Sequence, residues 1–230
     1  MFRLGNKDNF PQRSKRSRSR SFIKEKFHHI QTSLQFSRTP ENQKLKSIAI
    51  ISGNKGEGKS FCVWNLGKSL VTNNRRILLV DGDMHKATLS KNLSTFERTG
   101  LSDILISEKD PMEFISETAH SGLFILPTGI LPPNPIELIN SERMQEVIKL
   151  LEEKFDMVIF DTPPVLLLSD SRIIGNMCDG VIVIIRSGST KKTDLEATME
   201  FLRQTNTHVI GVILNGKNYG ENEMNSYSYY

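Results

Sequence analysis

The first 218 residues of this 230-residue chain contain no tyrosine. A ring with one polar tip is ordinarily useful in cores and interfaces, so the folded body must be built from other residues. Cysteine is almost as scarce, with only Cys62 and Cys178. Their isolation excludes a disulfide framework, a zinc ribbon and the paired-cysteine motif of iron–sulfur carriers. Both are expected to be small buried hydrophobes in a reduced cytoplasm. No apolar run approaches the roughly 18 residues of a transmembrane helix. The first residues lack the apolar core of a signal peptide, so the chain is expected not to cross a bilayer on its own. Internal repeats are absent too, which excludes a solenoid. The composition, 37% hydrophobic and 24% charged, is that of one ordinary globular core.

Acids are nearly missing from one end. Residues 1–20 carry seven arginines and lysines against Asp8, a net +6 in a chain whose total is +4. The basic character belongs to this segment, and the body is weakly acidic. A run such as Arg13-Ser14-Lys15-Arg16-Ser17-Arg18 buries too little apolar surface to fold, so residues 1–20 are expected to form a disordered tail. Near an anionic membrane each base is worth about 1 kcal/mol, enough for loose attraction without stable anchoring. Nucleic acid would attract the segment equally but with no sequence specificity, and a merely solubilising role stays open. The other end holds every tyrosine: Tyr219, Tyr227, Tyr229 and Tyr230. They make either a sticky partner-binding tail or a set of substrate hydroxyls.

Residues 48–60 carry the strongest signal. The apolar run Ile48-Ala49-Ile50-Ile51 leads through Ser52 into Gly53-Asn54-Lys55-Gly56-Glu57-Gly58-Lys59-Ser60, which fits the phosphate-binding pattern G-x-x-x-x-G-K-[ST]. Glycines at 53, 56 and 58 let the backbone curl so that successive N–H groups face phosphate oxygens. Lys59 then reaches the β and γ phosphates and Ser60 offers its hydroxyl to Mg2+. A helix opening here, from Phe61 onward, turns its positive end toward the same anion. Two further buried strand patterns end in aspartate: Ile77-Leu78-Leu79-Val80-Asp81-Gly82-Asp83 and Met157-Val158-Ile159-Phe160-Asp161. In a parallel sheet the carboxyl ends share one edge, so these acids are expected beside the phosphate loop.

Along the chain, apolar spacing predicts a helix over 22–36 and further helices over 101–105, 142–154, 170–177 and 194–204. Strands are expected at 124–126, 180–185 and 209–214. Residues 129–135, with three prolines, should be an extended connection. This alternation implies an α/β fold, a doubly wound, mostly parallel sheet with helices on both faces. The domain is expected over 21–216, with 217–230 as a flexible tyrosine-rich tail long enough to reach a neighbouring subunit.

The phosphate loop at 53–60, the acids of Val80-Asp81-Gly82-Asp83, the strand end Phe160-Asp161-Thr162-Pro163-Pro164, the segment Pro132-Pro133-Asn134-Pro135-Ile136-Glu137-Leu138-Ile139 and the tyrosine tail together resemble one family. It is the bacterial tyrosine kinases of capsular polysaccharide synthesis, in particular the cytoplasmic kinase subunit of the staphylococcal type, within the P-loop NTPases. The resemblance implies ATP and Mg2+ as cofactors and phosphorylation of protein tyrosine. The acceptors would be the C-terminal cluster of an adjacent copy in a ring-like homo-oligomer. It further implies a membrane-spanning activator, a place at the inner face of the cell membrane, and a role in capsule or exopolysaccharide synthesis.

Under the resemblance, residues 53–61 and Asn215 hold the nucleotide, with Asn215 at the adenine. Ser60, Asp83 and Asp161 serve the metal. Lys59 stabilises the transferring charge, and Asp81 is the candidate proton acceptor, its role exchangeable with that of Asp83. Glu25 matches an acid used in subunit contacts, but His28 and Gln31 stand where the family has arginines, and His85 replaces another. Losing planar bidentate cations weakens the expected ion pairs. Two other readings stay open. One is a partition-type positioning ATPase, which would carry a second lysine where this chain has Asn54. The other is a non-catalytic nucleotide-binding relative.

Overall fold

The computed structural model describes residues 15–72, 74–93, 99–107 and 109–220. Three strands with apolar interiors, β1 (Ser47–Ser52), β2 (Ile77–Asp81) and β5 (Met157–Asp161), are buried along their whole length. A strand without a polar face must be covered on both sides, which is the situation of a parallel sheet. With β3 (Ser116–Glu117), β4 (Leu123–Leu126), β6 (Gly180–Arg186) and β7 (Val209–Asn215) they form a seven-stranded sheet in the order β3-β4-β2-β5-β1-β6-β7. All pairings are parallel except that of the short edge strand β3 with β4.

Alternation along each strand sends successive side chains to opposite faces. Ile48 and Ile50 join one core with Phe27, Val63 and Leu66. That face is covered by α1 (Lys15–Phe36), α2 (Lys59–Leu70) and α3 (Thr88–Asn92). Ala49 and Ile51 join the other core with Ile104, Ile139, Ile148, Ile174 and Leu202. These come from α4 (Leu101–Ile106), α5 (Pro135–Ile139), α6 (Glu142–Lys154), α7 (Asp170–Met177) and α8 (Lys192–Gln204). Each fully buried Leu, Ile or Phe contributes roughly 1.5–3 kcal/mol, so two such cores on one sheet account for the doubly wound architecture.

Three details depart from the sequence reading. Helix α1 begins at Lys15 rather than Phe22. Once Phe22, Phe27 and Leu34 are buried, extending a proline-free helix costs little per residue, because nucleation is the expensive step. Residues 1–14 of the expected tail lie outside the described residues. The proline-rich connection runs unwound to Asn134, but Pro135 then opens α5. The first helical position lacks an intrahelical N–H bond in any case and tolerates proline. The boundary expected at residue 216 falls inside a contact, since Tyr219 meets the Phe22 ring edge-on at 4.8 Å between centroids. The helix cap at Ser141 is as expected, its hydroxyl accepting from the Met144 N–H at 3.2 Å.

Gly100, at the entry to α4, has no room for a methyl group. A Cβ there would lie 2.3 Å from the Pro127 carbonyl oxygen and 2.5 Å from the Gly129 nitrogen. Gly100→Ala is expected to lower unfolding free energy by about 1–3 kcal/mol. Gly211→Ala, which meets nothing within 4 Å, should stay within about 0.5 kcal/mol of wild type. Urea denaturation of the two variants checks the contrast.

Candidate active site

The loop leaving β1 turns back on itself through two glycines in the left-handed region, Gly56 at φ 82° and Gly58 at φ 96°. Gly58 is the residue before α2, and a Cβ on it would lie 2.0 Å from Asn215 Nδ2. Gly53 adopts no such conformation. Its missing side chain makes room for Thr198 Oγ1, 2.8 Å from where a Cβ would stand. Gly53 therefore serves close packing against α8 rather than the curl itself.

Distant residues hold the loop from outside. Glu57 is buried at 2% exposure and accepts the Asn54 N–H at 2.9 Å through Oε2. Its other oxygen accepts the Thr190 hydroxyl. Asn215 Nδ2 donates to the Glu57 carbonyl at 2.9 Å, and Arg186 Nη1 to the Gly56 carbonyl at 2.8 Å. Asn54 Nδ2 donates to Asp194 at 2.8 Å. Thr190, Arg186 and Asp194 are more than 120 residues from the loop and carry no motif, so nothing in the sequence marks them. Glu57 is a brace rather than a ligand in this arrangement.

Lys59, 8% exposed, donates to Ser52 Oγ at 2.8 Å. Burial pulls its ammonium below the usual lysine range, against the upward pull of Asp161, Asp83 and Glu57. A 300 Å3 cavity lies against this loop, lined by Lys55, Lys59, Ser60, Phe61, Asp83 and Thr162 among others. Larger hollows of 620 and 830 Å3 open elsewhere on the surface. The smaller one is the candidate site because only there do the phosphate loop and strand-end acids meet.

Register places Asp81 of β2 directly beside Asp161 of β5. Asp81 is wholly buried and engaged. Its Oδ2 accepts the Ser90 N–H at 2.8 Å and hydroxyl at 2.7 Å, and Oδ1 accepts the Asp83 N–H at 3.3 Å. Burial raises its pKa, and the Ser90 bonds oppose the shift. Asp83 lines the cavity, and its Oδ1 is fixed by the N–H groups of His85 at 3.1 Å and Lys86 at 3.0 Å. His85 Nε2 meets Asp170 Oδ2 at 2.8 Å, pinning this turn to the start of α7.

Asp161 is 1% exposed, and neither of its carboxyl oxygens has a hydrogen-bond partner. Burial, with the charge of Asp81 added, pushes its pKa up to about 8, although Ser60 and Lys59 nearby pull it down. Two orphaned, buried, hard oxygens beside a serine hydroxyl fit a magnesium ion. Among the described residues no group of three His, Cys, Asp or Glu side chains could hold a metal ion by itself. Such an ion would need phosphate and water to complete its shell.

The remaining expected residues are scattered. On α1, His28 Nδ1 and Gln31 Oε1 are 2.9 Å apart, and Gln31 is 7% exposed. Glu25 lies 3.9 Å from His29, four residues on. Tyr227, Tyr229 and Tyr230 fall outside the described residues. Burial pushes the Cys62 thiol up to about 12, which makes it inert. No described helix is long and apolar enough to cross a membrane.

Comparison with known proteins decides the lineage. The AAA domain family model matches residues 45–211. Tyrosine-protein kinase YwqD of Bacillus subtilis (strain 168) is 32% identical over 92% of this chain and 87% of its own length. This chain belongs to the bacterial tyrosine-protein kinases. Tyrosine-protein kinase CpsD of Streptococcus agalactiae (serotype III, strain NEM316) is 35% identical over 84% of this chain and 82% of its own. Among solved structures, the chimerical protein CapA2B2 superposes with TM-score 0.79 at 30% identity, covering 85% of each chain. Asp81, Asp83 and Asp161 lie buried together beside Lys59 at the carboxyl edge of the sheet.

The elevated pKa of Asp161 has a sign. Between about pH 4 and pH 8 the folded chain keeps a proton that the unfolded chain releases, so stability falls as pH rises through that window. Without nucleotide, the melting temperature of the wild type should drop between pH 5 and pH 8. Asp161→Asn should flatten that drop and raise the value at pH 8. Parallel calorimetric scans of both proteins would reveal an equal slope if the assignment is wrong.

Proposed function

We propose that this chain is an ATP-dependent protein tyrosine kinase whose acceptors are its own C-terminal tyrosines, Tyr219, Tyr227, Tyr229 and Tyr230, on a neighbouring copy. The reading rests on one observation. A braced phosphate loop with Lys59 and Ser60 faces the strand-end acids Asp83 and Asp161, in a chain whose four tyrosines all follow the last strand.

Phosphoryl transfer asks a protein mainly for positioning and charge compensation. Lys59 and the N–H groups at the start of α2 bind the phosphates and meet the charge that builds on them. Ser60, Asp83 and Asp161 are the side chains that would hold Mg2+, directly or through water. When bound, Mg2+ would supply neutralisation of phosphate charge. A phenol with pKa near 10 is protonated at pH 7, so a carboxylate must accept its proton. Asp81 is spent on Ser90, whereas Asp83 lines the cavity. We therefore give the acceptor role to Asp83, which would then meet the metal only through water, and leave Asp81 to hold the 82–90 turn.

Asn215, already against the phosphate loop, is proposed for the adenine. Glu25, His28 and Gln31 are proposed for contacts in a ring-like homo-oligomer. These contacts are weaker than arginines would give, because Gln31 is turned inward. A membrane-spanning activator and a role in capsule or exopolysaccharide synthesis complete the reading. The basic residues near the start of the chain would add attraction to the anionic inner face of the membrane. A partition-type ATPase is disfavoured at Asn54, whose amide is tied to Asp194 of its own chain.

Purified full-length chain, incubated with Mg-ATP with and without an activator fragment, should gain phosphotyrosine within residues 219–230, read by mass spectrometry. Lys59→Met should abolish the signal. Asp83→Asn should slow it by about 10²–10⁴ as loss of a general base, with a smaller effect from Asp81→Asn. ATP hydrolysis with an unlabelled tail would hand the function to a positioning ATPase.

A further inference from the structure

A second hollow lies on the α1 and α2 face and shares Phe61 with the phosphate loop cavity. It measures 830 Å3 and is walled by α1, α2 and the turn between β3 and β4. Its ionisable lining is wholly basic: Lys24 and His28 from α1, Lys68 from α2 and His120 from the turn, over an apolar floor that includes Phe27 and Phe61. Two of the bases are set in place. The half-buried Trp64 holds Lys68 Nζ at 5.4 Å and the His120 ring at 5.4 Å. Glu117, just before the turn, is engaged with the Gly122 N–H at 2.7 Å.

The described chain arrives beside this groove. A 430 Å3 cavity containing Tyr219 shares Ile23, Phe27 and Phe61 with it. Tyr219 packs there on Phe22 at 4.8 Å, with Lys26 Nζ 5.4 Å and Lys217 Nζ 4.8 Å from its ring. The next ten residues are Glu221-Asn222-Glu223-Met224-Asn225-Ser226-Tyr227-Ser228-Tyr229-Tyr230, with two carboxylates, three tyrosines and no base. Ten residues reach about 33 Å, while Phe61 and Lys68 are only about 10 Å apart along their helix.

We propose that the groove between α1, α2 and the β3–β4 turn is a docking site for the chain's own residues 221–230. The acids Glu221 and Glu223 meet Lys24 and Lys68, and the tyrosine rings cover the apolar floor. Tyr219 is the fixed root of the contact. Docked in this way, the last three tyrosines are withheld from any other copy's phosphate loop, so release from the groove precedes their use. Docking itself requires neither nucleotide nor phosphorylation, and the test is run without either.

Equal amounts of ¹⁴N- and ¹⁵N-labelled full-length chain are mixed, treated with a zero-length carbodiimide cross-linker and mapped by mass spectrometry. Glu221 or Glu223 should be joined to Lys24 or Lys68 within single isotopic species. Mixed-isotope cross-links at the share that random pairing of the two pools gives would assign the groove to a second copy and overturn the proposal, as would the absence of cross-links. The single tryptophan, Trp64, gives an independent readout. The double variant Glu221→Lys, Glu223→Lys leaves the folded body untouched and should lower the docked-to-free ratio about two- to thirtyfold. Acrylamide quenching of Trp64 should rise accordingly, and unchanged quenching would also overturn the proposal.

Discussion

Two aspartates placed opposite each other at the end of adjacent parallel strands govern this molecule. Asp81 and Asp161 are register partners, both buried, and neither can ionise without opposing the other. Lys59 is the cation set among them, and burial lowers its own affinity for a proton. The pair is tolerable because its members are treated differently. Asp81 is satisfied by Ser90, whereas Asp161 is left with both oxygens free of hydrogen bonds. Two close buried acids that cost stability by themselves are suited to a divalent cation, whose charge would remove the penalty.

The phosphate loop shows the complementary solution. A run of N–H groups aimed at an anion is ill-satisfied by itself, and the chain keeps it open by tying down its carbonyls and its acid. The carbonyls of Gly56 and Glu57 accept from Arg186 and Asn215, while the Glu57 carboxylate is consumed by Asn54 and Thr190. Three of these ties come from β6, its following loop and β7, so the loop is shaped by elements that the phosphates never touch. A preorganised anion site spends no binding energy on ordering itself.

Much of this was legible in the sequence for a physical reason. Strands buried on both faces read as unbroken apolar runs, and a phosphate loop needs glycines and a lysine at fixed spacing, so β1, β2, β5 and the 53–60 loop announce themselves. The strand-end acids follow, because parallel strands share one carboxyl edge. Ser90, Thr190, Arg186 and Asp194 do not, since a hydrogen-bond partner brought in by tertiary folding has no local signature. The early start of α1 was hidden because basic and serine residues look like a tail until the packed turns beyond them nucleate the helix. The proposed division of labour between Asp81 and Asp83 was likewise invisible, since both are aspartates two residues apart and only tertiary contacts, Ser90 for the first and the cavity for the second, separate them.

The same packing joins the two ends of the chain to the nucleotide loop. Phe61, directly after the loop serine, lies with its ring 6.2 Å from that of Phe27 on α1. Phe22, just over one turn earlier on that helix, holds Tyr219. Four residues before Tyr219, Asn215 donates to the loop backbone at Glu57. The root of the tyrosine segment is therefore tied to the phosphate loop twice, once through β7 and once through the aromatic stack on α1. A shift of α1 against α2 would disturb both the ring stack and the edge of the phosphate loop cavity, because Phe61 belongs to each. Interfaces of packed rings have discrete arrangements rather than a continuum, so the subunit contacts proposed for α1 and the placing of the tyrosine segment are bound to change together.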